Sequence, residues 1–294
     1  MPEGLGGAGL DYLTLALVLE EIAAGDGGTS TAISVTNCPV NAILVKYGNA
    51  AQQEQWLRPL AQGQMLGAFC LTEPHVGSDA SALRTTAVKQ GDEYVINGVK
   101  QFITSGKNGH VAIVIAVTDK TAGKKGMSAF IVPTHSPGWI VARLEDKLGQ
   151  HSSDTAQINF DNCRIPAENL IGHEGDGYRI ALSALEGGRI GIAAQSIGMA
   201  RPELVQVADT VARDKTIDRE EVFVAMEQAI QKAGRSKYGH ENDIRAEIDP
   251  KNGEIRIFRC LEVVAAVENE ATQITLKEAS SHNPDAQVGD ILAE

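Results

Sequence analysis

Aromatic side chains make up only 4% of the 294-residue chain, and its four cysteines, Cys38, Cys70, Cys163 and Cys260, stand far apart. No C-x-x-C pair and no neighbouring histidine accompanies them, which excludes a local disulfide framework or zinc site. Four reduced, mostly buried thiols and no metal are expected. Long apolar runs are also missing. The longest, Val111 to Val117, falls far short of the ~20 residues of a membrane helix, and the N-terminus lacks the basic and apolar regions of a secretory signal. A cytoplasmic protein with no membrane partner is expected. Positive charge is short: 26 Lys and Arg against 38 Asp and Glu leave a net −12, which argues against a broad nucleic-acid footprint. None of the seven histidines lies in a motif with a partner, so surface or structural roles are expected for them.

The 43% apolar and 22% charged content is ordinary for globular protein, but it is unevenly spread. Residues 1–200 carry 33 of the 64 charged side chains and 26 of the 30 glycines; residues 201–294 carry the other 31 charges and four glycines. Charge density about doubles where glycine becomes scarce. Such a step marks a domain boundary or a change of parent protein, near Ala200 to Pro202.

Periodicity fills in the two parts. Leu13, Leu17, Val18 and Ile22 make a helical stripe that stops at Gly25 to Gly28, a second helix is expected over 29–47, and Asn49 caps a third that carries Trp56 and Leu60. From Gly67 the pattern changes to short runs (85–89, 93–96, 111–117, 127–132 and 157–160) divided by turn residues such as Gly91-Asp92 and Asn97-Gly98. These predict an antiparallel β-barrel or sandwich. Ala181, Leu182, Leu185 and Ile192 restore a helix over 178–199. Beyond Pro202 a new helical face begins (Leu204, Val207, Ala208, Val211). Asp218 then caps a longer helix, with Glu221 as capping-box partner and Val222, Ala225, Met226, Ala229 and Ile230 facing inward. Ile244, Ala246 and Ile248 alternate as a strand, and Ile255, Ile257 and Val263 continue an opposing one. The expected fold class is multidomain α and β. It comprises a partial helical domain (1–66), a β middle domain (67–175), one long helix (176–200) and a small α+β domain (202–294).

Gly4, Gly6 and Gly9 match the dinucleotide-binding spacing, but no strand can feed that loop, so a flexible helix entry is the better reading. More specific are Phe69-Cys70-Leu71-Thr72-Glu73-Pro74-His75-Val76-Gly77-Ser78-Asp79 and, thirty residues on, Lys100-Gln101-Phe102-Ile103-Thr104-Ser105-Gly106. A strand ending in backbone N–H groups and hydroxyls can bind a pyrophosphate or a polar ring edge. It can equally be a tight turn satisfied by Thr72, Ser78 and Asp79, with Phe102 in the core.

These segments, together with Pro2 to Asp11, Phe160 to Gly172, Gly175 to Tyr178 and Leu185 to Gly191, resemble the acyl-CoA dehydrogenase family in wording and order across nearly all of residues 1–200. Val76 departs from the family's small residue and is expected to tighten the loop. The resemblance implies FAD as cofactor, held by Phe69, Leu71, Thr72, Gly77, Ser78, Phe102, Ile103 and Thr104, with the Thr104 hydroxyl on flavin N5. It implies an acyl-CoA substrate contacted by Ser78, Glu186 and Arg189, and an electron-transfer flavoprotein as partner. Without the family, Glu186 and Arg189 read as an exposed ion pair. The implied reaction is α,β-desaturation of the thioester, with a glutamate base removing the α proton. In most members that base lies in a C-terminal helical domain, and in a minority at the position matched by Gly188. No catalytic residue is therefore assigned. A core truncated at both ends, inactive or impaired, is expected.

Residues from about 202 to 294 resemble the N-terminal head domain of the bacterial transcription termination/antitermination factor NusA. The resemblance runs through Val207-Ala208-Asp209, Asp218-Arg219-Glu220, Ala225 to Ile230, Tyr238-Gly239, Gly253 to Arg256, Ala271 to Leu276 and Val288-Gly289-Asp290. It implies RNA polymerase as a partner. Direct nucleic-acid binding is not expected of residues 201–294, with 12 basic and 19 acidic side chains. The absence of a flexible linker points to a fusion by assembly error, frameshift or gene rearrangement.

Overall fold

A computed structural model describes residues 1–293, apart from the side chains of Pro202 and Glu203. Glu294, the last residue of the expected small domain, lies outside the described residues. The chain divides into two compact units, Met1–Met199 and Ala200–Glu294.

The first unit opens with helices. α1 (Tyr12–Gly25) starts where Asp11 accepts from Thr14 N at 2.9 Å, and Asp26 caps α2 (Gly27–Val35) in the same way. A π-helical stretch, Thr36–Asn41, carries the helix past Pro39 into α3 (Ala42–Tyr47). Asn49 and Gln52 form a reciprocal capping box on α4 (Ala50–Gln52), and a second π-helical turn leads to α5 (Arg58–Ala61). The Gly4 to Gly9 region holds only a short 3-10 turn.

One expectation fails at α1. Leu13, Leu17 and Val18 are exposed, and the buried face is Leu19 and Ala23. The helix is apolar round most of its circumference, so periodicity could not choose its buried side.

The β domain contains β1 (Gly67–Cys70), β2 (Thr86–Gln90), β3 (Glu93–Thr104), β4 (Val111–Val117), β5 (Met127–Pro133), β6 (Trp139–Leu144), β7 (Thr155–Pro166) and β8 (Leu170–Ile171). They form one sheet in the order β6-β7-β3-β2-β4-β5-β8, with β1 also on β4. Pairing is antiparallel except for β1 and β2 with β4. β3 and β7 are far longer than their apolar runs predicted, and β6 went unseen because five of its six residues are exposed.

The unbroken apolar run of β4 follows from burial on both faces. Val111, Ile113, Ile115 and Val117 join Val40, Ile43, Leu44 and Leu57 of the helical region in one core. Ala112, Val114 and Ala116 face the other way, into a core with Tyr94, Phe130 and Phe160. Each buried Ile or Val contributes about 1.5–3 kcal/mol by the area it removes from water.

Helix α6 (Gly177–Lys215) begins so close to β5 that a Cβ on Gly177 would sit 2.6 Å from the Ser128 backbone. It packs through Ile180, Ala181 and Ala184, whereas Leu182 and Ile192 are exposed. The residues of α6 up to Met199 belong to the first unit and those from Ala200 to the second.

In the second unit, residues Val205, Ala208 and Val211 of α6 pack on α7 (Arg219–Tyr238). Asp218 caps α7 through Glu220 N at 2.8 Å, without a reciprocal box from Glu221. The inward residues are Val222, Phe223, Met226 and Ile230. Ala225 and Ala229 are exposed, because Phe223 rotates the buried face. β9 (Asp243–Ile248) alternates as expected and pairs with β10 (Ile255–Val264) across a turn whose Gly253 has φ +72°. Ile255 and Ile257 of β10 are exposed and Val263 is buried. β11 (Gln273–Thr275), α8 (Leu276–His282) and β12 (Ile291–Ala293) complete the unit. No helix among the described residues is long and apolar enough to cross a membrane.

All four cysteines are free and buried. Burial pushes the Cys70 thiol up to about 12 and Cys163 to about 11, which keeps both protonated and unreactive. Native protein is therefore expected to react slowly with a thiol-specific chromogenic disulfide at pH 8, and unfolded protein to release four equivalents. A rapid native equivalent would contradict the burial.

Candidate functional site

The two sequence segments singled out above meet at the ends of β1 and β3. Gln101 N donates to Thr72 O at 2.9 Å, bringing Leu71–Thr72 beside Phe102–Thr104. One residue earlier the Lys100 ammonium donates to Leu71 O at 2.9 Å and to Glu73 Oε1 at 2.9 Å. Glu73 also accepts from Arg84 N at 2.8 Å and Thr85 N at 3.0 Å. Both charged side chains are closed to solvent, at 0% and 2% exposure. Burial lowers the Lys100 ammonium below its ordinary value, and Glu73 partly offsets this. Burial raises the Glu73 carboxyl, but the Lys100 charge and the N–H donors outweigh it and hold the group below its ordinary value.

Neither member of this pair was singled out from sequence. Each lies within a motif, and the signal that could have found them is one opposite charge in each of two strand-end segments expected to be half buried.

Beyond Glu73 the chain closes a tight turn. Glu73 and Val76 exchange both backbone hydrogen bonds at 3.0 Å. Val76 is buried in the helix-side core with Leu71 and Leu83, so the larger side chain anchors the turn. Gly77 and Ser78 follow on the surface. A Cβ on Gly77 would meet no atom within 4 Å, so its backbone is open to approach. Asp79 is spent locally, accepting from Ser81 N at 3.0 Å.

The end of β3 is strained. Phe102 has φ +59° and Ser105 +58°, and the β3–β7 register slips between Lys100 and Ile103. A bulge of this kind re-aims side chains. Ile103 is buried in the sheet-side core and Thr104 is half buried. Phe102 is 59% exposed, against the reading that made it core. The left-handed conformation costs an aromatic residue about 1–2 kcal/mol. It is held by the Gln101–Thr72 bond on one side and by Ser105 N to Asp154 O, at 3.2 Å, on the other. Asp154 also accepts from Lys107 N at 2.8 Å and the Asn108 amide at 3.1 Å. Phe69 is half buried against the helix-side core.

Glu186 and Arg189 stand exposed on α6 and form no ion pair with each other. Glu186 lines an apolar cavity of about 850 Å³ with Leu10, Tyr12, Val18, Ile43 and Lys46. Arg189 is not among its lining residues, and none of Phe69, Leu71, Thr72, Ser78, Phe102 or Thr104 is either. The strand-end site and this cavity are separate features. No group of three His, Cys, Asp or Glu among the described residues is placed to hold a metal.

A mostly antiparallel sheet sandwiched between a helical layer and its own second core, with a strained aromatic at a bulged strand end, defines a helix-backed β module. Residues 1–64 match the acyl-CoA dehydrogenase N-terminal domain and residues 68–163 its middle domain; residues 203–294 match the NusA N-terminal domain. The rat mitochondrial short-chain specific acyl-CoA dehydrogenase is 45% identical over 204 residues, 69% of this chain and 50% of the relative. Among solved structures, butyryl-CoA dehydrogenase from Megasphaera elsdenii superposes with a TM-score of 0.67 at 41% identity, over 73% of this chain and 56% of that one. A chain described as an electron transferring flavoprotein of Acidaminococcus fermentans gives 0.74 at 39% identity, over 82% and 65%. The chain belongs, through its N-terminal and middle domains, to the acyl-CoA dehydrogenase family, and carries a NusA N-terminal domain match after them. It spans about half the length of the curated relatives it matches.

Removing one partner of a buried pair leaves an uncompensated charge, so Lys100→Met is expected to cost about 3–5 kcal/mol and the double variant Glu73→Gln/Lys100→Met distinctly less. Urea unfolding followed by tryptophan fluorescence checks this. Trp56 and Trp139 both lie in the first unit and are the chain's only tryptophans. Equal costs for the single and double variants would show that Lys100 acts by packing alone. Because the Glu73 carboxyl is depressed in the folded state, its contribution is fully present above the ordinary carboxylate value and is lost as pH falls through the folded one.

Proposed function

We propose that the first unit is the flavin- and substrate-binding core of an FAD-dependent acyl-CoA dehydrogenase. The observation that carries this reading is the pair of cross-braced strand ends presenting an exposed Phe102 beside Thr72 and Thr104. The donor set fits a flavin. Phe102 offers a free aromatic face, the two threonines offer hydroxyls to a polar ring edge, and the open backbone at Gly77 leaves room for a pyrophosphate. Bound FAD would supply the hydride acceptor for the β carbon of the acyl thioester.

The chain's own residues hold and orient. Phe102 presents its ring to the flavin, Leu71 and Ile103, whose side chains are buried in the two cores, meet it through their backbone, and Phe69 supports the strand end behind them. Thr72 and Thr104 donate to its polar edge, and Thr104 serves N5. Gly77 and Ser78 receive phosphate, and Ser78, Glu186 and Arg189 meet the acyl-CoA. An electron-transfer flavoprotein is the matching redox partner.

Proton removal needs a carboxylate within reach of the α carbon. Position 188 carries glycine, and beyond Met199 the sequence matches a different domain family. We therefore read this polypeptide as a flavin binder with little or no turnover. For the second unit, the NusA N-terminal domain match supports a distinct reading, an RNA polymerase-binding module fused to a dehydrogenase scaffold.

Titration with FAD is expected to give a structured flavin absorbance band, and Phe102→Ala to weaken binding about tenfold through loss of the aromatic contact. Butyryl-CoA is expected to reduce no artificial electron acceptor. Space around Gly188 is open, so Gly188→Glu is expected to introduce measurable reduction; robust turnover without that change would overturn the missing-base reading. Absence of flavin binding, with co-sedimentation of the chain and RNA polymerase, would favour the transcription module.

A further inference from the structure

The loop between β6 and β7, residues 145–154, grips the end of β3 on both sides of Phe102. From its β6 end, Glu145 Oε1 accepts from the Gln101 amide at 3.4 Å. From its β7 end, Asp154 takes up three donors of the turn after Thr104. Its carbonyl accepts from Ser105 N at 3.2 Å, Oδ2 from Lys107 N at 2.8 Å and Oδ1 from the Asn108 amide at 3.1 Å. The ladder alone gives little hold here. After the register slip, β3 and β7 pair only at Ile103–Ala156 and Thr104–Thr155, and Asp154 supplies the next bond, to a Ser105 whose φ is +58°.

The middle of the loop is fastened to the helical layer. Gln150 Oε1 accepts from the Thr31 hydroxyl of α2 at 2.6 Å and from the Gln195 amide of α6 at 3.3 Å, and Ser152 Oγ donates to Asp26 at the start of α2. Gln195 is 2% exposed and donates also to Gly27 O at 2.8 Å. The approach is close: a Cβ on Gly28 would lie 3.0 Å from Gln150 O. Gln150 and Asp154 are four positions apart, so one short segment touches α2, α6 and the bulged end of β3.

We propose that loop 145–154 is a spacer that fixes the Phe102–Thr104 corner against α2 and α6, with Asp154 as its positioning residue. The proposal rests on the flavin reading of that corner. Asp154 acts through the backbone that it holds. Without its carboxylate, Lys107 N and the Asn108 amide lose their acceptor. The turn is then left to the Ser105 bond and to its own internal bonds, Gly106 N to Ile103 O at 3.2 Å and Gly109 N to Ser105 O at 2.7 Å. Left-handed residues persist only where their surroundings over-determine them, so fewer restraints leave Phe102 and Thr104 less firmly aimed.

Asp154→Ala removes both side-chain acceptors and keeps the backbone bond to Ser105, and Asp154→Asn keeps one acceptor. Without ligand, hydrogen exchange of the Lys107 amide is expected to be about tenfold faster in Asp154→Ala than in the unaltered chain. FAD is expected to bind about tenfold more weakly to Asp154→Ala and about threefold more weakly to Asp154→Asn. At saturating FAD the visible circular dichroism of the flavin should also change in Asp154→Ala. A loss of folded fraction alone would lower apparent affinity and leave the saturated spectrum as it was. Thr31→Val keeps the side-chain shape, deletes the donor to Gln150 and should weaken FAD about threefold by loosening the helical end. Unchanged Lys107 exchange or an unchanged saturated spectrum in Asp154→Ala, or unchanged FAD affinity in either Asp154→Ala or Thr31→Val, overturns the spacer and leaves the flavin reading intact. An unaltered chain that takes up no FAD overturns the flavin reading, and the spacer falls with it.

Discussion

A lysine ammonium and a glutamate carboxylate, both out of reach of water, join the ends of β1 and β3, and the geometry of the candidate site hangs on that pair. Taking two charges into a low-dielectric interior costs several kcal/mol per ion, repaid only when the remaining hydrogen-bonding capacity is filled. Here a backbone carbonyl and two backbone N–H groups fill it. The pair is better understood as a device for position than as a source of stability. It fixes the turn after β1 against the bulge in β3, two places where the ladder alone would not specify a conformation.

That fixed corner is carried by a sheet whose central strand has no free side. β4 gives alternate residues to a helical layer and to a second layer of strands, so a one-residue slip would exchange two well-packed faces. The surrounding loops inherit this rigidity. Turn, bulge and helix start are all tied to strands that cannot shift singly, and Gly177 sets α6 directly against the backbone of β5.

How far the sequence disclosed this depends on the kind of signal. Caps were legible because they are local chemistry. The Asn49 and Asp218 caps and the alternation of Ile244, Ala246 and Ile248 appear as read, whereas the box partner expected at Glu221 does not form and the one at Gln52 was not foreseen. The core strand β4 was legible from its run of apolar residues. Burial direction was not legible where a helix is apolar nearly all round, as in α1, nor where one aromatic outweighs two alanines, as Phe223 does in α7. The strand-end segments were recognisable as a motif, but the ion pair inside them needed a contact across 27 residues of sequence that no local pattern encodes. Exposure of Phe102 was hidden for a related reason: a bulge reverses the inside–outside alternation that a strand pattern assumes.

The backbone at Phe102 has one more implication. A glycine or asparagine would adopt its left-handed conformation at lower cost, and a solvent-facing ring returns little burial energy to offset the difference. The strain at Phe102 is thus one that the burial of its own side chain does not offset, and it is sustained by the backbone bonds on either side of it.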